Sequence, residues 1–248
     1  MTEQLLRTAM LYGAEGIKKL KKRRVAIFGI GGVGGHCAEA LCRSGVGAIG
    51  LFDGDIVDIT NLNRQIVATH KTIGRDKVAA MSERLLDIAP DTAVEAHKLF
   101  YLPQTADGVD LSVYDYIVDA MDTITAKLEL VCRAGALGIP VISSMGAAGK
   151  LDPAALQVAD VYETSVCPMA RIMRGELRKR GVEALKVVYS KEPPVNTEPN
   201  VPEVIQDPGP GDRSRDNRRG KVQASNAFVP AVAGLIIASE VVKDLLGI

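Results

Sequence analysis

Short apolar runs alternate along the first part of the chain with longer stretches whose apolar residues recur at helical spacing. The runs at 24–30 (RVAIFGI), 48–53 (AIGLFD), 93–99 (AVEAHKL), 114–121 (YDYIVDAM) and 140–146 (PVISSMG) read as strands. Between them, 34–44 reads as a helix with Val33, Cys37, Ala40 and Leu41 on one face. A second helix at 74–88 carries Val78, Met81, Leu85 and Leu86 at helical spacing and stops before Pro90. A third spans 123–137. Strand-helix alternation of this kind predicts an α/β fold: a doubly wound, mostly parallel, Rossmann-like sheet with helices on both faces.

After Gly149 the pattern changes to a mixed extension. Strands are expected at 156–161 and 184–190, with a helix at 169–180 between them. Residues 191–222 are rich in Pro, Gly, Arg and Asp and read as a mobile loop. A strongly apolar helix at 228–247 returns to the core; it contains Glu240, Lys243 and Asp244 and its apolar run is too short for a membrane span. We therefore expect one domain over 1–248, with a nucleotide-binding core at 1–150 and a substrate and dimer extension at 151–248.

Composition narrows the class. The chain has 248 residues, 47% of them hydrophobic, enough for a substantial core. Lys plus Arg balances Asp plus Glu at 30 each, so contacts to nucleic acid must rest on local patches. The cysteines, Cys37, Cys42, Cys132 and Cys167, form no C-x-x-C pair, which argues against a structural zinc and against a disulfide framework. The N-terminus lacks the cationic-then-apolar order of a signal peptide, so a cytoplasmic enzyme is expected.

Candidate chemistry begins at Gly29-Ile30-Gly31-Gly32-Val33-Gly34, a G-x-G-x-x-G pattern between strand and helix. Glycines at 29, 31 and 34, with Gly32 beside them, permit a tight turn and close approach to phosphate, and the helix N-terminus offers free N–H groups to an anion. Asp53 ends the next strand, where it can accept from a ribose hydroxyl. By rule this fingerprint indicates a nicotinamide-dependent oxidoreductase. The following residues point elsewhere. DGDIVDITNLNRQ packs Asp53, Asp55, Asn61, Asn63, Arg64 and Gln65 together, and Lys77 follows in GRDKV. Fixed cations beside a phosphate loop suit a triphosphate whose reaction develops charge at phosphorus. Asp119 and Asp122 end a further strand, where a carboxylate faces the ligand crevice and can hold Mg²⁺.

The combination GIGGVGG, LFDGDIVDITNLNRQ, GRDKV and VDAMD resembles the ThiF/MoeB family of adenylating enzymes, related to ubiquitin-activating proteins. The resemblance implies that Asp53, Asn61, Arg64, Lys77 and Asp122 bind ATP and Mg²⁺. It implies a homodimer in which Arg7 reaches the partner's ATP site, and a reaction that converts a carboxylate and ATP to an acyl-adenylate and pyrophosphate. Members that activate sulfur carriers usually hold zinc with paired C-x-x-C motifs and tend to have Asn after the metal aspartate, where this chain has Thr123. TAMLYG, NRQI, SMGAAGKLDP, ARIMRGELRKRG, SKEPP and FVPAVAGLIIASEVV instead resemble the tRNA threonylcarbamoyladenosine dehydratase subgroup. That implies ATP-dependent cyclisation of threonylcarbamoyladenosine at position 37 of tRNA, with tRNA as substrate and a sulfur-relay or cysteine desulfurase protein as a further partner. The alternative is adenylation of the C-terminus of a small ubiquitin-like or sulfur-carrier protein.

Candidate tRNA contacts are the basic run 18–24 (KKLKKRR), the arginines Arg171, Arg174 and Arg178 with Lys179 and Arg180 at helical spacing, and Arg213, Arg215, Arg218, Arg219 and Lys221 in the loop. Aromatic residues make up 4% and Trp is absent, so no stacking platform for RNA bases is visible. Cys167 lies where larger activating enzymes insert a thioester cysteine region, but an intramolecular cyclisation needs no enzyme nucleophile, so it is expected to be a packed residue.

Overall fold

The structure is a computed structural model that describes residues 3–195 and 224–248. The strands are β1 (Arg24–Phe28), β2 (Ala48–Phe52), β3 (Ala93–His97), β4 (Tyr116–Asp119), β5 (Val141–Ser144), β6 (Leu156–Asp160) and β7 (Lys186–Ser190). The helices are α1 (Leu6–Leu20), α2 (Gly34–Arg43), α3 (Lys77–Ile88), α4 (Ile124–Ala136), α5 (Pro168–Lys179) and α6 (Val229–Leu246). They build one sheet in the order β3-β2-β1-β4-β5-β7-β6, parallel throughout except for β6, which runs antiparallel to β7 at the edge. The expected α/β sheet is therefore present.

Its inner strands β1, β2, β4, β5 and β7 are buried on both faces and so read as largely apolar runs, while the edge strands β3 and β6 are partly exposed. On one face Val25, Ile27, Ile49, Leu51, Tyr116 and Val118 pack with Leu41 of α2, Met81 of α3 and Ile237 of α6. On the other, Ala26, Phe28, Phe52 and Ile117 meet Leu130 and Ala134 of α4, and Val187 and Tyr189 meet Met173 and Leu177 of α5. The apolar C-terminal helix is thus a core element, and no helix among the described residues is long and apolar enough to cross a membrane.

Three differences from the sequence reading have local causes. α1 was not legible, because its apolar face is narrow and the helix is kinked at Gly13, whose φ of 73° breaks the helical path. Its first part projects from the fold, with Met10 86% and Leu11 80% exposed. The second predicted helix begins at Lys77 instead of 74, since Gly74 takes a φ of 82° and Arg75 and Asp76 belong to the turn before it. Leu86, expected on the packed face, is exposed.

The loop 149–152 gathers two distant segments. Gly149 N–H donates to the Ala224 carbonyl and Val195 N–H to the Gly149 carbonyl, each at 2.8 Å. Leu151 and Asp152 N–H groups donate to the Glu192 carboxylate, which holds its pKa below the ordinary value. Asn226 donates to the Lys150 carbonyl and accepts from the Phe228 and Val229 N–H groups at the start of α6. The predicted loop beyond residue 195 lies outside the described residues.

α6 crosses directly behind the N-terminus of α2. A Cβ on Gly234 would stand 2.3 Å from the Val33 carbonyl oxygen, a contact no side chain can make. Overpacking a site this tight costs roughly 1–3 kcal/mol. Gly234→Ala is expected to lower the melting temperature by several degrees, read by thermal unfolding, by displacing α2.

Candidate active site

The chain leaves β1 toward β2 and β3 and later returns to β4 on β1's other side, so β1 and β4 flank the switch point of the sheet. Ligands of open α/β sheets bind in the crevice beyond the strand C-termini at such a point. The segments after β1, β2 and β4 all end there.

The loop after β1 is shaped by sterics. Gly29 has a φ of 89°, and a Cβ there would lie 2.7 Å from the Ala120 carbonyl oxygen just past β4. A Cβ on Gly34 would lie 1.8 Å from the Gly29 carbonyl oxygen. These two positions require glycine before any ligand is considered. Gly31 differs: a Cβ there would meet only Gln65 Nε2, at 3.9 Å, so the loop is open at this position, whereas a Cβ on Gly32 would lie 3.1 Å from Pro230 of α6. α2 starts at Gly34 with no side-chain cap; Gly35 N–H donates to the Gly31 carbonyl at 3.1 Å, and the positive end of the helix dipole lies beside the loop.

Asp53, just past β2, braces this loop. Its carboxylate accepts from Ile30 N–H at 2.6 Å and from Asp55 N–H at 2.8 Å. Burial raises its pKa above the ordinary carboxylate value, opposed by the Lys77 charge and the two backbone donors. Each oxygen keeps a further lone pair for a ribose hydroxyl. Lys77, buried at the start of α3, pairs with Asp55 at 3.0 Å. Asn61 is buried in a short 3-10 turn, where its Oδ1 accepts from Asp58 N–H. Arg64 donates to the Thr60 carbonyl at 3.0 Å and to Asn63 Oδ1 at 2.9 Å. Gln65 is buried against the phosphate loop, and its Oε1 has no partner among the described residues.

Asp122 and Asp119 separate into different roles. Asp122 is exposed, touched by Thr123 Oγ1 at 3.3 Å. Asp119 is fully buried and committed: it pairs with Lys127 and accepts from Ser143 Oγ and Met121 N–H. It is therefore not a ligand facing the crevice, contrary to its place at the end of the strand. Lys127 gave no signal in the sequence, since a lysine in a helix reads as a solvated residue. A single exposed carboxylate fits an ion such as Mg²⁺, which keeps most of its waters and binds nucleotide phosphates; among the described residues no cluster of three or more His, Cys, Asp or Glu forms a cage.

The basic patches are less available than their sequence suggested. In 18–24, Arg23 pairs with Asp115 and Arg24 with Glu95, and the run lies before β1, at the sheet end opposite the crevice. On α5, Arg174 turns inward to the Thr164 carbonyl at 2.8 Å, Arg178 stacks over Tyr162, and Lys179 and Arg180 pair with Glu176. Arg171 is exposed on the first part of that helix. Arg213, Arg215, Arg218, Arg219 and Lys221 lie outside the described residues. Cys167 is buried at the N-cap of α5, Cys37 and Cys42 are buried, Cys132 is half-buried, and all are free thiols.

The ThiF family profile matches residues 4–248. The chain belongs to the ThiF family. Within this family it is 44% identical to the tRNA threonylcarbamoyladenosine dehydratase of Bacillus subtilis, over 99% of this chain and 96% of that protein. The crystal structure of E. coli tRNA N6-threonylcarbamoyladenosine dehydratase, TcdA, in complex with ATP superposes with a TM-score of 0.82 at 30% identity, covering 99% of this chain and 94% of that one. The adenylyltransferase and sulfurtransferase uba4 of Aspergillus niger is 32% identical over 75% of this chain but only 36% of its own length.

One prediction follows from the Asp53 brace. Asp53→Asn replaces one of two oxygens that each accept a backbone N–H with an NH₂ group that cannot accept. ATP affinity, measured by calorimetry, is expected to fall at least tenfold, with a lower melting temperature.

Proposed function

We propose that this protein is an ATP-dependent tRNA threonylcarbamoyladenosine dehydratase. The observation that carries the reading is the full-length identity to a protein of that name, since a shared ATP-binding core alone would not separate it from carrier-activating relatives.

The chemistry suits the crevice. A carboxylate is a poor electrophile. Its attack on the α-phosphorus of ATP expels pyrophosphate and leaves an acyl-adenylate. A nitrogen or oxygen of the same threonylcarbamoyl group then attacks the acyl carbon and releases AMP, and a ureido N–H proton is lost. The carboxylate oxygen departs with AMP, so the nucleoside loses the elements of water. The second step is intramolecular and gains from high effective concentration.

In this reading the 29–34 loop and the α2 N-terminus receive phosphate, Asp53 meets the ribose, and Asn61 and Gln65 line the phosphate path. Arg64 and Lys77 neutralise charge that grows at phosphorus in the transition state. On nucleotide binding Lys77 exchanges or shares its Asp55 partner. Asp122 would hold Mg²⁺, which when bound offsets phosphate charge. Arg7 completes the site from a second subunit; the exposed apolar Leu6, Met10 and Leu11 around it support a homodimer. Arg171 contributes to tRNA binding, with a smaller share from Arg174, Arg178, Lys179 and Arg180, whose side chains are already engaged. The enzyme works in the cytoplasm, and a sulfur-relay or cysteine desulfurase protein remains a proposed partner.

Incubation with ATP and threonylcarbamoyl-modified tRNA, followed by mass spectrometry of nucleosides, is expected to show a product lighter by one water. An ATP-binding sample that yields none defeats the reading. Arg64→Ala and Asp122→Ala are each expected to lower adenylation at least a hundredfold in a folded protein. Cys167→Ser is expected to keep most activity; a folded but inactive Cys167→Ser would point to a thioester route.

A further inference from the structure

Lys127 and Asp119 form the one ion pair among the described residues whose side chains are both fully shielded from water, at 2.9 Å. A pair this deep is a poor source of stability, because desolvation offsets most of its attraction. Its geometry offers another explanation. The Lys127 ammonium has three donors, and each has an acceptor: Asp119 Oδ2, the Met121 carbonyl at 2.9 Å and the Ser144 carbonyl at 2.8 Å. Asp119 in turn accepts from Ser143 Oγ at 2.5 Å and from Met121 N–H at 3.2 Å. The β4–β5 ladder ends at Asp119 and Ser143, so this network spans the point where the strands part.

Both polar groups of Met121, the residue immediately before Asp122, are thereby held. On the far side of Asp122, the Thr123 carbonyl accepts from Lys127 N–H at 3.0 Å. The same backbone abuts the phosphate loop, because a Cβ on Gly29 would be 3.1 Å from Met121 N. An exposed carboxylate therefore stands on a platform fixed from below and set against the loop that receives phosphate.

We propose that Lys127 is a positioning residue for Asp122, acting through Asp119 and the Met121 backbone. This rests on the reading that Asp122 meets the metal–nucleotide complex. Functional groups held by a locked supporting shell bind and react better than those on unconstrained chain.

The test uses the full chain with Lys127→Met, Lys127→Arg, Ser143→Ala and Asp122→Ala. Four quantities are measured: melting temperature, ATP affinity without metal, Mn²⁺ affinity in the presence of ATP by electron paramagnetic resonance, and turnover against Mg²⁺ concentration. In Lys127→Met and, more mildly, Ser143→Ala, Mn²⁺ affinity is expected to fall and the Mg²⁺ needed for half-maximal rate to rise, at least fivefold for the former and at least threefold for the latter. Metal-free ATP affinity stays within twofold, and Lys127→Arg recovers part of the loss. Variants that melt lower but keep Mn²⁺ affinity and Mg²⁺ dependence within twofold of the parent overturn the proposal; if Lys127→Met does not fold, Ser143→Ala decides by the same criterion. An Asp122→Ala protein with parental Mn²⁺ affinity and turnover instead defeats the assignment of Asp122 itself. A metal-sensitive Asp122→Ala beside an insensitive Lys127→Met defeats only the positioning role.

Discussion

The crevice depends on how closely the chain leaving β1 passes the chain leaving β4. Gly29 lies against the Ala120 carbonyl with no room for a methyl group, and Gly34 closes over the Gly29 carbonyl in the same way. This contact seats the start of α2 at the switch point, with the positive end of its dipole beside the loop. α6 then wedges against the α2 N-terminus through Gly234. Backbone-to-backbone approaches of this kind have no soft degree of freedom, so the glycine turn is set by the sheet and cannot drift independently of it.

Charge is distributed around that turn in two layers. Nearer the crevice, Lys77 pairs with Asp55, Arg64 holds the Thr60 carbonyl, Asp122 is exposed, and Asp53 braces the loop from inside. Beneath them sits the closed Lys127–Asp119 network, which reaches no ligand. The distinction matters for reading carboxylates at strand ends. Asp119 and Asp122 are close in sequence, yet one is sealed in the sheet and the other open to solvent.

Much of this was legible in the sequence. Of the five strands at 24–146, four were visible because both-face burial yields largely apolar runs, the edge strand β3 being the exception, and the glycine loop was visible because the turn needs glycine at 29 and 34. In the sequence, the cluster from Asp53 to Lys77 is the feature that favoured a triphosphate over a redox cofactor. Less was legible where side chains act against type. The first helix was hidden by its kink at Gly13 and by apolar residues that point outward. Lys127 passed as a solvated lysine, since only the fold brings it over the ends of β4 and β5. The α5 basic stripe was visible as a periodicity, but the inward turn of Arg174 and the pairing of Lys179 and Arg180 with Glu176 depend on neighbours that periodicity does not report.

The junction at Gly149 has a consequence for chain closure. Residues 195 and 224 are both hydrogen-bonded to Gly149, so the described fold is left and re-entered at nearly one point. The closure entropy of a segment spliced into such a gap grows only with the logarithm of its length. Any segment that joins these two residues therefore meets the same closure geometry at Gly149, whatever its length.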